Sequence, residues 1–387
     1  MKLVYLDYQA TTPTENKVLE KMLPFFNKKF GNPHSTSHAF GGEASDYVER
    51  ARNQVAHSIG AQSSEIIFTS GATESNNLAL KGAVKYRKMY EKRNQLVIVN
   101  TEHKCVLEAA KKLSLEGIKV NVINVDSKGL IDLDNLDKIL NDNVSLLSVM
   151  TANNEIGVIQ PLKEISAKCK KFGIWLHSDA AQAIGNIRID VNDLGVDLMS
   201  ISGHKVYGPK GVGALFIRRR PRVRLLSEID GGGQEKLIRS GTVPTPLVVG
   251  LGEALKISNE LFEINRDHIK NLRDKLYNNI VKHIGEISLN GPNLDDLSSR
   301  ISNNLNIQID SVNGHQLVEA LGGIVAFSTG SACSTGDIEP SYVLKSIGLS
   351  DRMAMSSVRI SIGRMTTLEE VNYASSEICK RIKIIRN

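Results

Sequence analysis

The sequence predicts an α/β protein built on a mostly parallel central sheet, with a smaller α+β unit at its C-terminal end. Three observations carry this. Short β-rich runs alternate with longer amphipathic stretches through the first two-thirds of the chain. Some β runs are almost continuously apolar, as in Leu146, Leu147, Val149 and Met150, which suits strands covered on both faces. Near residue 255 the texture changes to a long helical stretch rich in Lys, Glu and Asn.

The elements follow in order. The opening MKLVYLDYQATTP reads as a strand and a turn; before Glu15 it is too short to stand alone and is expected to pack on the C-terminal unit. Strands are expected at Glu65–Thr69, Gln95–Asn100, Lys119–Val125, Ser145–Met150, Ile174–Ser178, Leu198–Ser202 and Gly213–Ile217. Amphipathic helices are expected between them, at Asn76–Met89, Val106–Glu116 and Leu162–Phe172. Glu253–Ile284 reads as a long helical stretch, Arg300–Gln308 as a strand, and Thr367–Ile385 as a final helix. The 387-residue length favours two or three domain-sized units. The predicted division is a large domain at 15–262 and a small one from 1–14 and 263–387.

Composition excludes several classes. Hydrophobic residues are 41% and charged residues 23%, ordinary for a soluble globular protein. The net charge of +6 is spread out, apart from Arg218, Arg219, Arg220, Arg222 and Arg224. A solvated edge or an anionic protein partner explains that cluster as well as nucleic acid does, and no stacking-aromatic or groove-helix motif accompanies it, so direct nucleic-acid binding is not expected. No run of 18 apolar residues exists, so no membrane span is expected. The cysteines at 105, 169, 333 and 379 form no CxxC pair and no zinc-finger spacing, which points to a reducing compartment and no structural metal. The N-terminus shows neither an apolar signal core nor an Arg-rich presequence, so the protein is expected either to stay where it is made, in the cytoplasm, or to reach a mitochondrion-type matrix by an import signal that is removed or unusual.

Several short segments carry chemistry, most of them just past a predicted strand. Ser202-Gly203-His204-Lys205 places a lysine among small and basic neighbours. A Schiff-base lysine needs a partly neutral amine, which burial and nearby positive charge supply; a surface lysine in a Gly-rich turn is the other reading. In His177-Ser178-Asp179-Ala180-Ala181-Gln182, the carboxylate could keep a pyridinium nitrogen protonated, as pyridoxal phosphate (PLP) needs, with Gln182 near the ring's phenolic oxygen. Asp179 could equally cap a following helix. Thr69–Asn76 places Ala72 and Thr73 at a helix start, a phosphate site or a capping box. His103 in Thr101-Glu102-His103-Lys104 could stack on a ring and move protons, or be structural. Asn154 in Asn153-Asn154-Glu155-Ile156-Gly157 could bond the ring oxygen or the substrate, or belong to a plain turn.

Two further segments lie later in the chain. Cys333 sits among Ser, Thr, Gly and Ala, a setting that suits a reactive thiolate on a loop; a cysteine that falls in a linker is the alternative. Cys105, Cys169 and Cys379 fall within or beside helical patterns and read as packing residues. Arg359 and Arg239, in Arg239-Ser240-Gly241-Thr242, are candidate carboxylate clamps or surface ion pairs.

Together, TSGATESNN, TEHK, NNEIG, SGHKVYGPKG, RSGTVPTP and GSAC give the chain a clear likeness over nearly its whole length. It resembles the NifS/IscS-type cysteine desulfurases, PLP-dependent transferases of fold type I, and within them the mitochondrial-type IscS branch. The resemblance implies that Lys205 carries PLP and that Asp179 meets the pyridinium. Gln182 and Asn154 would hold the phenolic side and His103 would stack on the ring. Ala72, Thr73, Ser202 and His204 would hold the phosphate, and Thr242 would reach the phosphate of a neighbouring subunit in a homodimer. Arg359, with Asn154, would hold the L-cysteine substrate. Cys333 would take its sulfur as a persulfide, releasing L-alanine, and pass it to an iron–sulfur scaffold protein, whose cluster it would meet in passing, and to other acceptors for tRNA thiolation. An aminotransferase would not need Cys333; a selenocysteine lyase is the nearer alternative. The chain departs from the family's SSGSACTSASLEPS in reading STGSACSTGDIEPS, which adds Asp337 near the sulfur carrier. It also ends at Asn387, where many relatives continue into a segment that touches the scaffold protein.

Overall fold

The computed structural model describes residues 3–330 and 339–387, so Cys333 and Asp337 lie outside the described residues. The strands are β1 (Val4–Tyr5), β2 (Ile66–Thr69), β3 (Gln95–Val99), β4 (Lys119–Ile123), β5 (Val144–Ser148), β6 (Trp175–Asp179), β7 (Leu198–Ser202), β8 (Gly213–Ile217), β9 (Ile287–Leu289), β10 (Asn304–Ile309), β11 (Val325–Ala326) and β12 (Ser357–Ser361). Seven of them form one sheet in the order β2-β8-β7-β6-β5-β3-β4. The pairs among β4, β3, β5, β6 and β7 are parallel, while β8 runs antiparallel to both β7 and β2.

The apolar runs of this sheet have a simple cause. Successive side chains point to opposite faces, and both faces are covered. Val97 and Val99 enter one core with Leu147, Met199, Ile201 and Phe216, packed under the helices Ala39–Ser58 and Thr245–Glu260. Leu96 and Ile98 enter the opposite core with Leu146, Leu198 and Leu215, under Ala72–Glu91 and Lys104–Leu115. All seven expected strands are present, each within two residues of its predicted ends.

The expected helical stretch at Glu253–Ile284 is two helices, Thr245–Glu260 and Phe262–Ile284, which part at Leu261 (φ −99°, ψ 9°). Past that break, Leu272 and Leu276 pack in a separate cluster with Leu305, Ile307, Ile360 and Ile378. This cluster lies on the antiparallel sheet β12-β10-β9 and the final helix Leu368–Arg386. Val4 and Leu6 belong to it, and β1 pairs with β11, so the N-terminal strand packs with the C-terminal residues. No helix among the described residues is long and apolar enough to cross a membrane.

Candidate active site

Several chain segments meet at one edge of the seven-stranded sheet. Parallel β3, β5, β6 and β7 all end there. β2 ends beside them, because Thr69 pairs with Gly213 and Gly213 with Ser202. Ligands gather at such carboxyl ends. The edge opens into a cavity of about 590 Å³ lined by Ala72, Thr73, His103, Asn154, Asp179, Gln182, Ser202, His204, Lys205 and Arg359, all predicted from sequence. Close approach has its own requirement here: a Cβ on Gly213 would fall 2.7 Å from the Gly71 Cα, so only glycine lets β8 pass the turn at Gly71.

Lys205 stands just past β7. Its Nζ donates to the carbonyls of Gln9 at 2.5 Å and Ala10 at 2.7 Å. Burial, with help from Arg359, pulls its pKa down to about 8, so a useful fraction of the amine is neutral near physiological pH. Asp179 is buried at the end of β6. Its Oδ2 accepts from Asn76 Nδ2 at 2.6 Å and its Oδ1 from the Ala181 N–H at 2.8 Å. No helix follows Asp179; the chain turns instead, with the Ala183 N–H bonded to the Ala180 carbonyl, so the helix-cap reading gives way to a local side-chain turn.

His103 is the N-cap of the Lys104–Leu115 helix, its Nδ1 accepting from the Cys105 N–H at 3.2 Å. That bond leaves the ring proton on Nε2. Burial lowers its pKa, which favours this neutral form. The Ala72–Glu91 helix starts at the cavity with Ala72 and Thr73 in its first turn, where N–H groups lack helical partners and a phosphate is welcome. His204 Nδ1 lies 3.1 Å from Thr11 Oγ1, and burial pushes its pKa down to about 4.

Arg359 reaches the cavity from β12, with Nη2 on Asp7 Oδ1 and Nη1 on the Asn154 carbonyl, each at 2.9 Å. Gln182 lines the cavity with its Nε2 on the Gln9 carbonyl at 3.0 Å. Thr242 is exposed and does not line this cavity, and Arg239 is bound to Glu74 at 2.7 Å, which occupies it as a carboxylate clamp.

Three contributors escaped the sequence reading. The turn Gln9-Ala10-Thr11 forms one wall. Asn76 holds Asp179; its one available signal was its place a helical turn after Ala72. Cys105 lines the cavity rather than simply packing, its Sγ 3.1 Å from both His103 Nδ1 and Asn76 Nδ2. Burial pushes its pKa up to about 12, so it stays a thiol. Cys169 and Cys379 are buried as expected of packing residues.

These residues fit PLP. A helix start suits its phosphate, a buried carboxylate its ring nitrogen, and a lysine with a depressed pKa its aldehyde. The buried Asn154 Oδ1, with no partner among the described residues, offers a further contact.

The pattern of the class-V aminotransferases matches residues 4–373. The chain is 51% identical to the protein named cysteine desulfurase IscS of Rickettsia rickettsii (strain Iowa), over 99% of this chain and 92% of that one. Among solved structures it resembles a NifS-like protein with a TM-score of 0.91 and 36% identity, over 99% of this chain and all of that one. It also resembles the structure titled SspA in complex with cysteine, with a TM-score of 0.82 and 36% identity, over 94% of this chain and all of that one.

Proposed function

The chain belongs to the class-V aminotransferase family, and on that premise we propose that it is a PLP-dependent cysteine desulfurase. The observation that carries the reading is the convergence of Lys205, Asp179, His103 and Arg359 on one cavity in a chain whose relatives bear that name. The solved relative with cysteine supports L-cysteine as the substrate.

Bound PLP would supply an electron sink for the substrate's amino-bearing carbon. The chain's residues do the rest. Ala72, Thr73, Ser202 and His204 hold the phosphate end, Asp179 keeps the ring nitrogen charged, and Gln182 and Asn154 face the phenolic side. Arg359 and Asn154 hold the substrate's carboxylate. Lys205 is placed to move a proton, and the Nε2–H of His103 is a second proton carrier. The Cys333 thiolate attacks the substrate sulfur. The carbon–sulfur bond breaks and its electron pair stays with the substrate carbon, which takes a proton in place of the sulfur; a sulfur–sulfur bond forms, so L-alanine and a Cys333 persulfide result. That persulfide supplies an iron–sulfur scaffold protein and the acceptors of tRNA thiolation.

We further propose a homodimer in which Thr242 completes the partner's phosphate site, and division of the chain into 15–262 and 1–14 with 263–387. The separate apolar clusters on either side of Leu261 support that division. The bacterial relatives favour work in the cytoplasm, with a mitochondrion-type matrix as the counterpart.

Mass spectrometry after exposure to L-cysteine tests the reading. Cys333 should gain about 32 Da, one sulfur atom, and reductant should remove it. Cys333→Ser should keep the yellow cofactor and release no sulfide. Sulfide release at the wild-type rate from Cys333→Ser would reject the sulfur role.

A further inference from the structure

Gln9 stands in the N-terminal turn that grips Lys205, lines the cavity and is only 1% exposed. Its backbone is fully used. The N–H donates to Ser361 Oγ at 2.9 Å, and the carbonyl accepts from Lys205 at 2.5 Å and from Gln182 at 3.0 Å.

The orientation of its side-chain amide is set by a chain of bonds that begins at Arg300. A guanidinium only donates. Buried Arg300 gives Nη2 to Asn304 Oδ1 at 2.6 Å, so Asn304 Nδ2 must be the donor to Gln9 Oε1 at 2.7 Å and to the Glu155 carbonyl at 2.8 Å. Gln9 Oε1 is therefore the acceptor. Nε2 is left as a buried donor with no acceptor among the described residues. Such a group is costly unless a ligand supplies the acceptor.

Arg359 shows why a second donor is needed. Its Nη1 and Nη2 each already make a bond within the protein, and Asp7 offsets part of its charge. Its Nε is buried with no partner among the described residues. A carboxylate has two oxygens, and the usual two-pronged guanidinium grip is only partly free here.

We propose that Gln9 Nε2 donates a hydrogen bond to the α-carboxylate of the amino-acid substrate, beside Arg359, and so helps select amino acids over simple amines. The inference rests on the amino-acid reading above. It assigns a binding role to the N-terminal turn, which the family likeness left without one.

The test is equilibrium binding of L-alanine and of ethylamine, its carboxylate-free counterpart, to the PLP-loaded enzyme, followed by cofactor absorbance. Gln9→Met should weaken L-alanine by about tenfold or more and leave ethylamine unchanged. Gln9→Glu keeps the acceptor for Asn304 but sets a carboxylate where the donor stood. It should weaken L-alanine further, again sparing ethylamine, and it decides alone if Gln9→Met does not fold. Equal losses for both ligands, or no loss of L-alanine, would overturn the assignment. A wild type that binds L-alanine beside variants that bind it equally well sinks only Gln9. A wild type that binds no amino acid brings down the functional reading and this one with it.

Discussion

Lys205 is tuned by burial and held by two backbone carbonyls of the N-terminal turn. Only its neutral amine can attack the cofactor's aldehyde. With a pKa near 8, the neutral fraction grows about tenfold per pH unit below that value and levels off above it. The cofactor-free enzyme should therefore capture PLP at a rate that climbs with pH to about 8 and then flattens, which stopped-flow absorbance can follow. Lys205→Ala should lose the yellow colour on dialysis, and sulfide release should fall by about a thousandfold or more. Asn76→Ala should weaken PLP about tenfold or more, because a hydrogen bond to charged Asp179 is lost; titration of the cofactor-free protein reads this directly. Lys205, Asp179, His103 and Arg359 are visible in the sequence because their side chains carry ionisable chemistry. Gln9 and Asn76 carry only neutral amides. Their partners lie 196 and 103 positions away, so their roles arise only when the chain has folded.

Elements were visible where burial dictated their composition. The central strands are apolar on both faces and stand out, whereas the parting at Leu261 does not. Helix formers run through it without glycine or proline, and packing against two separate cores decides where the first helix stops. Ala39–Ser58 opens with Ala-Phe-Gly-Gly, a poor helical start, and is held in place partly by a buried ion pair. Arg52 of that helix meets Glu235 at 2.7 Å, and the same carboxylate accepts the Phe68 N–H of β2 at 2.7 Å. Glu235, Lys236 and Leu237 all have positive φ, a strained run fastened by this contact. Glu235→Ala should cost about 3 kcal/mol, because the buried Arg52 guanidinium keeps only Glu49 as a counter-charge and the Phe68 N–H loses its acceptor; urea unfolding with an unchanged slope would show it.

At the scale of the molecule, Glu155 links the end of the central sheet to residues far along the chain. Its carbonyl accepts from Asn304 at 2.8 Å and Asn306 at 3.0 Å, and its carboxyl accepts from Ser341 Oγ. Burial raises its pKa from 4.5 to about 7, against the pull of Arg359 and Lys104. A raised folded pKa means the folded state binds the proton more tightly. The stability it contributes is full below about 4.5 and is lost as pH climbs through about 7. Glu155→Gln should remove that loss. The stability difference between variant and wild type should shift in the variant's favour by about 3 kcal/mol across this window, measured by urea midpoints. His177, whose pKa burial lowers to about 3, titrates in the opposite sense in both proteins and cancels in the difference.

The pairing of β1 with β11 has a consequence for how the protein comes into being. Asp7 grips Arg359, and Gln9 meets Ser361, each 352 positions further along the chain. Strands that lie so far apart along a chain join late. As the ribosome extrudes the polypeptide, the segment at residues 4–12 leaves the tunnel long before residues 325–361 and must wait for them. A growing chain could assemble the central sheet, yet the wall that holds Lys205 would still be unmade. Cofactor capture in its native geometry then waits for the chain to extend past Ser361.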